Sequence, residues 1–276
     1  MLLNLIYLLS ALAAAGICFA AGGFGSISWI WLLPLGFVGC FSLCLLLCYL
    51  LVWVEARRSD PEKEYDRDDA YIRGIVRFYA PAVFRLLGCK IEAIGTEKLP
   101  KDGRFLLVSN HLHDLDPGVI LAAYPNAQLA FIAKKEVMQM PILNRLMPRL
   151  LCQFIDREND RNALKTIIRC ISILKEDRAS VAVFPEGRIT GDDKLHQFRP
   201  GVFKMATKAN VPIVVCTLFG TQNIMKNVRR LRRTHIRLHL VDVIPAEEVK
   251  GANTVDIAHR VHTLMAESLG AENVAV

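Results

Sequence analysis

The first 54 residues contain no Asp, Glu, Lys or Arg, and every charged side chain falls between Glu55 and the C-terminus. That one feature divides the 276-residue chain into an apolar segment and a polar part. A Gly22-Gly23-Phe24-Gly25-Ser26 break splits the apolar segment into Leu2 to Ala21 and Trp29 to Val54. A helix rising ~1.5 Å per residue needs about 20 residues to cross a ~30 Å hydrocarbon core, so each stretch is long enough. Trp29, Trp31, Tyr49 and Trp53 lie near the ends of the second stretch, where amphipathic rings prefer the headgroup zone. A cleaved signal peptide is the alternative for the first stretch, but that stretch lacks a basic leader and runs on into more apolar sequence. The expectation is a membrane-embedded helical hairpin over 1–54, a juxtamembrane linker and amphipathic helix over 55–88, and a folded domain over 89–276. Arg57 and Arg58 follow the second stretch, and the positive-inside tendency places the domain on the cytoplasmic side. A hairpin held in one leaflet would leave it on that same side.

The net charge of +7 belongs wholly to the polar part and suits anionic lipid or phosphate-bearing substrates. Nucleic acid would be attracted equally, but the apolar spans favour lipid as partner over nucleic acid. Of eight cysteines, four (Cys18, Cys40, Cys44, Cys48) are in the apolar segment and four (Cys89, Cys152, Cys170, Cys216) beyond it. No pair has metal-ligand spacing, and a cytoplasmic domain predicts reduced thiols packed as small apolar groups.

Ser59 to Asp69 is rich in charge and lacks apolar period, which predicts a solvated turn or short helix. From Tyr71 to Leu87 the chain reads as an amphipathic helix, with Arg73, Arg77 and Arg85 on a basic stripe and Pro81 expected to kink or interrupt it. Such a helix suits either a membrane surface or a core with its basic stripe in solvent. Strands are expected at Lys90–Ile94, Phe105–Ser109, Leu129–Ala133, Cys152–Ile155, Ser180–Phe184, Ile213–Leu218 and Arg237–Val243. Helices fit Pro117–Tyr124, Pro141–Arg149, Arg161–Glu176, Val202–Ala209 and Val255–Leu269. Alternation of this kind predicts an α/β fold, a mostly parallel sheet flanked by helices, with chemistry at the strand ends.

The run Ser109-Asn110-His111-Leu112-His113-Asp114-Leu115-Asp116 follows one such strand and ends at Pro117. His111 suits a general base, provided a carboxylate holds its other ring nitrogen, and Asp116 is the candidate. Asp before Pro also reads as an ordinary helix N-cap. His113 and Asp114 invite a metal reading, but their spacing is not that of a recognised ligand motif, and His113 fits a hydrogen-bonded loop residue. At Val183-Phe184-Pro185-Glu186-Gly187-Arg188 a second strand enters a turn. Glu186 there can bind a substrate hydroxyl, Gly187 allows close backbone approach, and Arg188 can grip phosphate oxygens. Phe154-Ile155-Asp156-Arg157 ends a third strand, with Arg157 a phosphate ligand or half of a surface ion pair. Lys134 and Lys135 end another and can bind a carrier's phosphates, an anionic lipid or plain solvent.

In this order the blocks resemble the glycerophospholipid acyltransferase family. Asn110, His111 and Asp116 match its first block, a His and an Asp separated by four residues after an Asn. Ala133-Lys134-Lys135-Glu136, Phe154-Ile155-Asp156-Arg157, Phe184-Pro185-Glu186-Gly187 and Val211-Pro212-Ile213 then follow, so the resemblance covers roughly Ile94 to Leu218. Two departures stand out. The third block usually reads Glu-Gly-Thr-Arg, whereas Arg188 follows Gly187 directly and Thr190 comes later. The last block usually ends in a second proline, where Val215 and Cys216 stand here.

The resemblance implies acyl transfer from an acyl thioester, acyl-CoA or acyl carrier protein, to the sn-2 hydroxyl of lysophosphatidate, giving phosphatidate. His111 would be the base and Asp116 its partner. Glu186, Gly187 and Arg188 would hold the acceptor, with Arg157, Asn110, Lys134 and Lys135 assisting. Neither an acyl-enzyme nor a metal or other cofactor is implied. Competing readings are a relative acting on glycerol 3-phosphate or another lysophospholipid, a membrane-bound metallohydrolase using His111, His113 and Asp114, and a non-catalytic lipid-binding protein.

Overall fold

The structure, a computed structural model, describes residues 2–21, 29–61, 63–156 and 160–275. The chain separates into two compact units, Met1–Pro61 and Glu62–Val276. The glycine-rich break at 22–26, the Trp29 ring, Arg157 and Asn159 lie outside the described residues.

In the first unit, α1 (Leu2–Ala20) is followed by α2 (Trp29–Arg58). Both are long and apolar enough to cross a membrane. Leu3, Ile6, Ser10, Ala14 and Cys18 recur at helical spacing as the buried stripe of α1. Tyr7 stacks on Phe41 and Phe37 of α2, with ring centroids 5.1 and 6.3 Å apart. The Ser10 hydroxyl donates to the Ile6 carbonyl at 2.7 Å, so its polar group is satisfied within the helix. Trp31, Leu35 and Val38 of α2 stand well exposed, an outer surface that lipid rather than water would solvate.

Among the described residues the second unit carries seven strands: β1 (Cys89–Ile94), β2 (Leu106–Ser109), β3 (Leu129–Lys134), β4 (Gln153–Ile155), β5 (Ser180–Val183), β6 (Ile213–Phe219) and β7 (Thr234–Ile244). They form one sheet ordered β1-β7-β6-β2-β5-β3-β4. Every pairing is parallel except β6 with β7. Central β2 and β5 are buried along their whole length, which is why they read as unbroken apolar runs.

Around the sheet lie α3 (Ala70–Leu86), α4 (Asp116–Ala123), α5 (Leu143–Leu146), α6 (Asp160–Lys175), α7 (Lys204–Ala209), α8 (Ile224–Arg229), α9 (Ala246–Val249) and α10 (Thr254–Leu269). Alternate strand residues Leu106, Val108, Val183, Ile213 and Val215 pack on one face with Cys170 and Ile173 of α6, Met205 of α7, and Val261 and Met265 of α10. α3 and α4 pack together against β1. Gly118 permits that approach, since an added Cβ would stand 3.1 Å from the Phe84 ring. The α/β class and all seven expected strands are therefore present, with ends shifted by a few residues.

Several local expectations are corrected. The 59–69 segment is not a solvated turn throughout: Asp68 binds Arg73 at 2.6 Å, Asp69 binds Arg149 at 2.6 Å, and Asp66 reaches Arg169 and Arg178. These contacts hold residues 66–69 to the rest of the second unit. Arg73 does not belong to a solvated stripe; it is buried and also donates to the Leu129 carbonyl at 3.0 Å. α3 runs unbroken through Pro81, which removes one backbone N–H from the helix without ending it; Ile72 and Phe84 are buried towards its two ends. The helix expected over Pro141–Arg149 is only the single turn of α5 followed by a 3-10 turn at Pro148–Leu150, where proline lacks the N–H to continue. Pro200–Phe203 is likewise a 3-10 turn, so α7 starts at Lys204 rather than Val202. Short α8 and α9 were not legible at all.

Candidate active site

Because β5 and β6 each pair parallel with β2 between them, the C-terminal ends of the three strands meet on one edge of the sheet. The loop after β2 carries Asn110 to Leu115. Asn110 is buried and its amide is fully engaged: Nδ2 donates to the Leu218 carbonyl at 2.9 Å and Oδ1 accepts from the Leu218 amide at 2.7 Å. It fastens the loop to β6, so its place is in the scaffold beneath the site rather than on its surface.

His111 Nδ1 lies 2.8 Å from Asp116 Oδ2. The same oxygen accepts from the backbone N–H of Leu112 at 2.7 Å and of His113 at 2.9 Å. Asp116 is thus turned back into the preceding loop and does not cap α4, whose start has no side-chain cap. Its other oxygen, Oδ1, is buried without a hydrogen-bond partner among the described residues. The imidazole stacks on Phe184, centroids 4.1 Å apart and planes 12° from parallel. Between carboxylate and ring, His111 is fixed in one orientation, with Nδ1 engaged and Nε2 without a partner among the described residues.

Glu186, at the end of β5, is also buried. Its Oε1 accepts from the His111 amide and its Oε2 from the His196 amide, each at 3.0 Å. Burial pushes its carboxyl above the ordinary glutamate range, opposed by the N–H groups of His196 and His111 and by the charges of those residues. The side chain therefore braces two loops. Gly187 has φ +77°, and an added Cβ would lie 2.9 Å from Arg199 Nε, which crosses directly above it. Arg188 and Arg199 are exposed and form no ion pair among the described residues. Thr190 donates to Asp192 at 2.7 Å and His196 Nε2 lies 2.9 Å from the same carboxylate. Those two contacts, Thr190 first, hold the Asp192 carboxyl below the usual range.

Of the remaining residues singled out by sequence, Lys135 pairs with Asp156 at 2.9 Å. Lys134 stands 4.0 Å from Asp114, beside the His111 loop. His113 accepts the Leu115 amide at its Nδ1, the behaviour of a hydrogen-bonded loop residue. Among the described residues no three His, Cys, Asp or Glu side chains converge as a metal site would require. Phe184, His196 and Arg199 were missed as site residues. Phe184 reads as a strand end and as part of the Phe-Pro-Glu-Gly block without a role of its own, and nothing in the local pattern marks the other two.

Comparison with known proteins places this geometry in context. An acyltransferase family model matches residues 90–218. A 1-acyl-sn-glycerol-3-phosphate acyltransferase of Borreliella burgdorferi is 27% identical over 176 residues, covering 62% of this chain and 70% of that protein. A probable enzyme of the same name from Mycoplasma pneumoniae is 33% identical over 153 residues, 54% of this chain and 56% of its own length. One from Haemophilus influenzae is 26% identical over 227 residues, 80% and 88% of the two chains. Among solved structures, the 1-acyl-sn-glycerophosphate acyltransferase PlsC of Thermotoga maritima superposes with a TM-score of 0.61 at 23% identity, covering 75% of this chain and 81% of that one. That likeness establishes the fold.

Proposed function

We propose, from the premise that residues 90–218 belong to the acyltransferase family, that this protein transfers an acyl chain from an acyl thioester to the free sn-2 hydroxyl of lysophosphatidate. The product is phosphatidate, and the setting is phospholipid synthesis at a membrane to which the apolar helices tether the enzyme, with the catalytic domain on the cytoplasmic side. The observation that carries the reading is the His111–Asp116 contact of 2.8 Å at the end of a buried strand, with Nε2 left unengaged.

A neutral His111 protonated at Nδ1 presents a lone pair at Nε2. As the acceptor hydroxyl attacks the thioester carbonyl, Nε2 takes its proton, and Asp116 stabilises the imidazolium formed. The tetrahedral species collapses by expelling the thiolate, which recovers that proton from His111. Atoms balance without an enzyme-bound acyl group, so no Ser or Cys nucleophile enters. Glu186 sets the height of the His111 backbone, and Arg188 with Arg199 supplies charge for the acceptor phosphate. The carrier, acyl-CoA or acyl carrier protein, brings phosphates that suit Lys134 and Lys135.

The test is product analysis of purified protein in detergent, given lysophosphatidate with acyl-CoA and then with acyl carrier protein, in wild type and His111→Ala. Diacylated product that needs the thioester and His111 supports the reading. Product formed equally by His111→Ala removes the base, and equal use of glycerol 3-phosphate removes the acceptor assignment.

A further inference from the structure

The reversal of direction at β7 brings a second surface to the catalytic edge. β6 ends at Phe219 on the same edge as β2, and the chain passes through α8 before β7 starts back at Thr234. Between Gly220 and Arg233 there is no acidic residue and there are five cations: Lys226, Arg229, Arg230, Arg232 and Arg233. All five are exposed, and none is ion-paired among the described residues. In their midst Leu231 is 96% exposed, held out on a backbone with φ +52°. Met225 and Phe219 add apolar surface, 43% and 47% exposed.

A single exposed leucine is ordinary, but Leu231 stands inside a run of five cations with no acidic residue and has Met225 and Phe219 as further exposed apolar surface, the combination of a basic segment with apolar side chains that suits a membrane surface. Cations that meet anionic headgroups around one apolar side chain that enters the acyl boundary account for both features. Nucleic acid would answer the charge and leave Leu231 unexplained. The opposite flank of the His111 loop repeats the pattern: after β3, which runs parallel to β5, Met138, Met140 and Leu143 are 44%, 50% and 43% exposed, beside Lys134.

We propose that the 220–233 loop, with Leu231 as its inserted tip, docks the catalytic edge onto an anionic bilayer surface. The docking needs no turnover, and rests on the acyl-transfer reading only for its purpose, which is to present the site to acceptors still seated in lipid.

The test uses the full chain in nanodiscs of phosphatidylcholine alone or mixed with phosphatidylglycerol, read by hydrogen–deuterium exchange. Each cation near such a surface is worth about a fivefold gain in association. Amides of Val228 to Arg233 should therefore exchange at least about fivefold more slowly in the anionic discs, and salt should erase the difference. Leu231→Ser should lose much of that protection, as should a variant with all four arginines changed to glutamine, while exchange in β2 and β5 reports that each variant is folded. Equal exchange in the two discs overturns the proposal. So does equal protection of the loop by a single-stranded oligonucleotide, which would mean plain polyanion affinity. If wild type shows the protection yet makes no phosphatidate, the acyl-transfer reading fails and the docking stands.

Discussion

Glu186→Gln separates two roles that one carboxylate can have in this site. If Glu186 touches the acceptor, the change should raise KM. If it braces the loops, as its two 3.0 Å bonds to the His111 and His196 amides argue, the loss should fall on kcat. Glutamine keeps one acceptor oxygen and turns the other into an NH2 that faces a backbone N–H, so one buried donor is orphaned. A charge-assisted bond of that kind is worth about 1.5–3 kcal/mol. Passed to the barrier, this is a fall in kcat of about 10- to 150-fold, with KM for lysophosphatidate near the wild-type value.

The same variant has a pH signature. Burial raises the folded-state pKa of Glu186 above its unfolded value, so its contribution to stability is present at low pH and is lost as pH rises through the raised value. Glutamine does not titrate. The variant's deficit in Tm should therefore be largest in acid and shrink towards neutrality. Steady-state kinetics in mixed micelles and melts across that range check both halves. A raised KM with kcat preserved, or a deficit that grows with pH, would refute the bracing argument.

Three further outcomes are expected. His111→Ala and Asp116→Asn should each lower kcat by about 10²- to 10⁴-fold, with thermal melts showing that the His111→Ala fold persists. Asn110→Leu leaves both the N–H and the C=O of Leu218 without their partner, which should cost about 2–4 kcal/mol in denaturant unfolding of the domain. Arg73→Met strands the carboxylate of Asp68, only 4% exposed, and should cost about 3–5 kcal/mol, most of it recovered when Asp68→Leu is added.

The strands were legible because a buried parallel strand must be apolar on both faces, and Leu106-Leu107-Val108 or Ile213-Val214-Val215 fits little else. The His111–Asp116 pairing was legible as a spacing, and the geometry settled the competing N-cap reading by turning the carboxylate away from α4. What each side chain bonds across the fold was not. Glu186 suits a substrate hydroxyl by its place after a strand, and Asn110 enters the site only through the family resemblance; neither route shows which loop the side chain bonds. Their partners, His196 and Leu218, are 10 and 108 residues away. The same holds for Arg73: helical periodicity gives a face, and its bond to Leu129, 56 residues on, decides whether that face is wet.

The contrast between bolted and open halves of the site has a consequence for how such an enzyme can change. Asn110, Asp116 and Glu186 are sealed in by backbone bonds, so the geometry that the proposed proton transfer requires is built by the chain itself and tolerates little substitution. From Arg188 to Asp193 the chain lies largely in solvent, secured by local contacts such as Thr190 with Asp192. If that stretch meets the acceptor as proposed, a lineage, or an engineer, seeking a different headgroup can vary it while leaving the bonded core of the site in place.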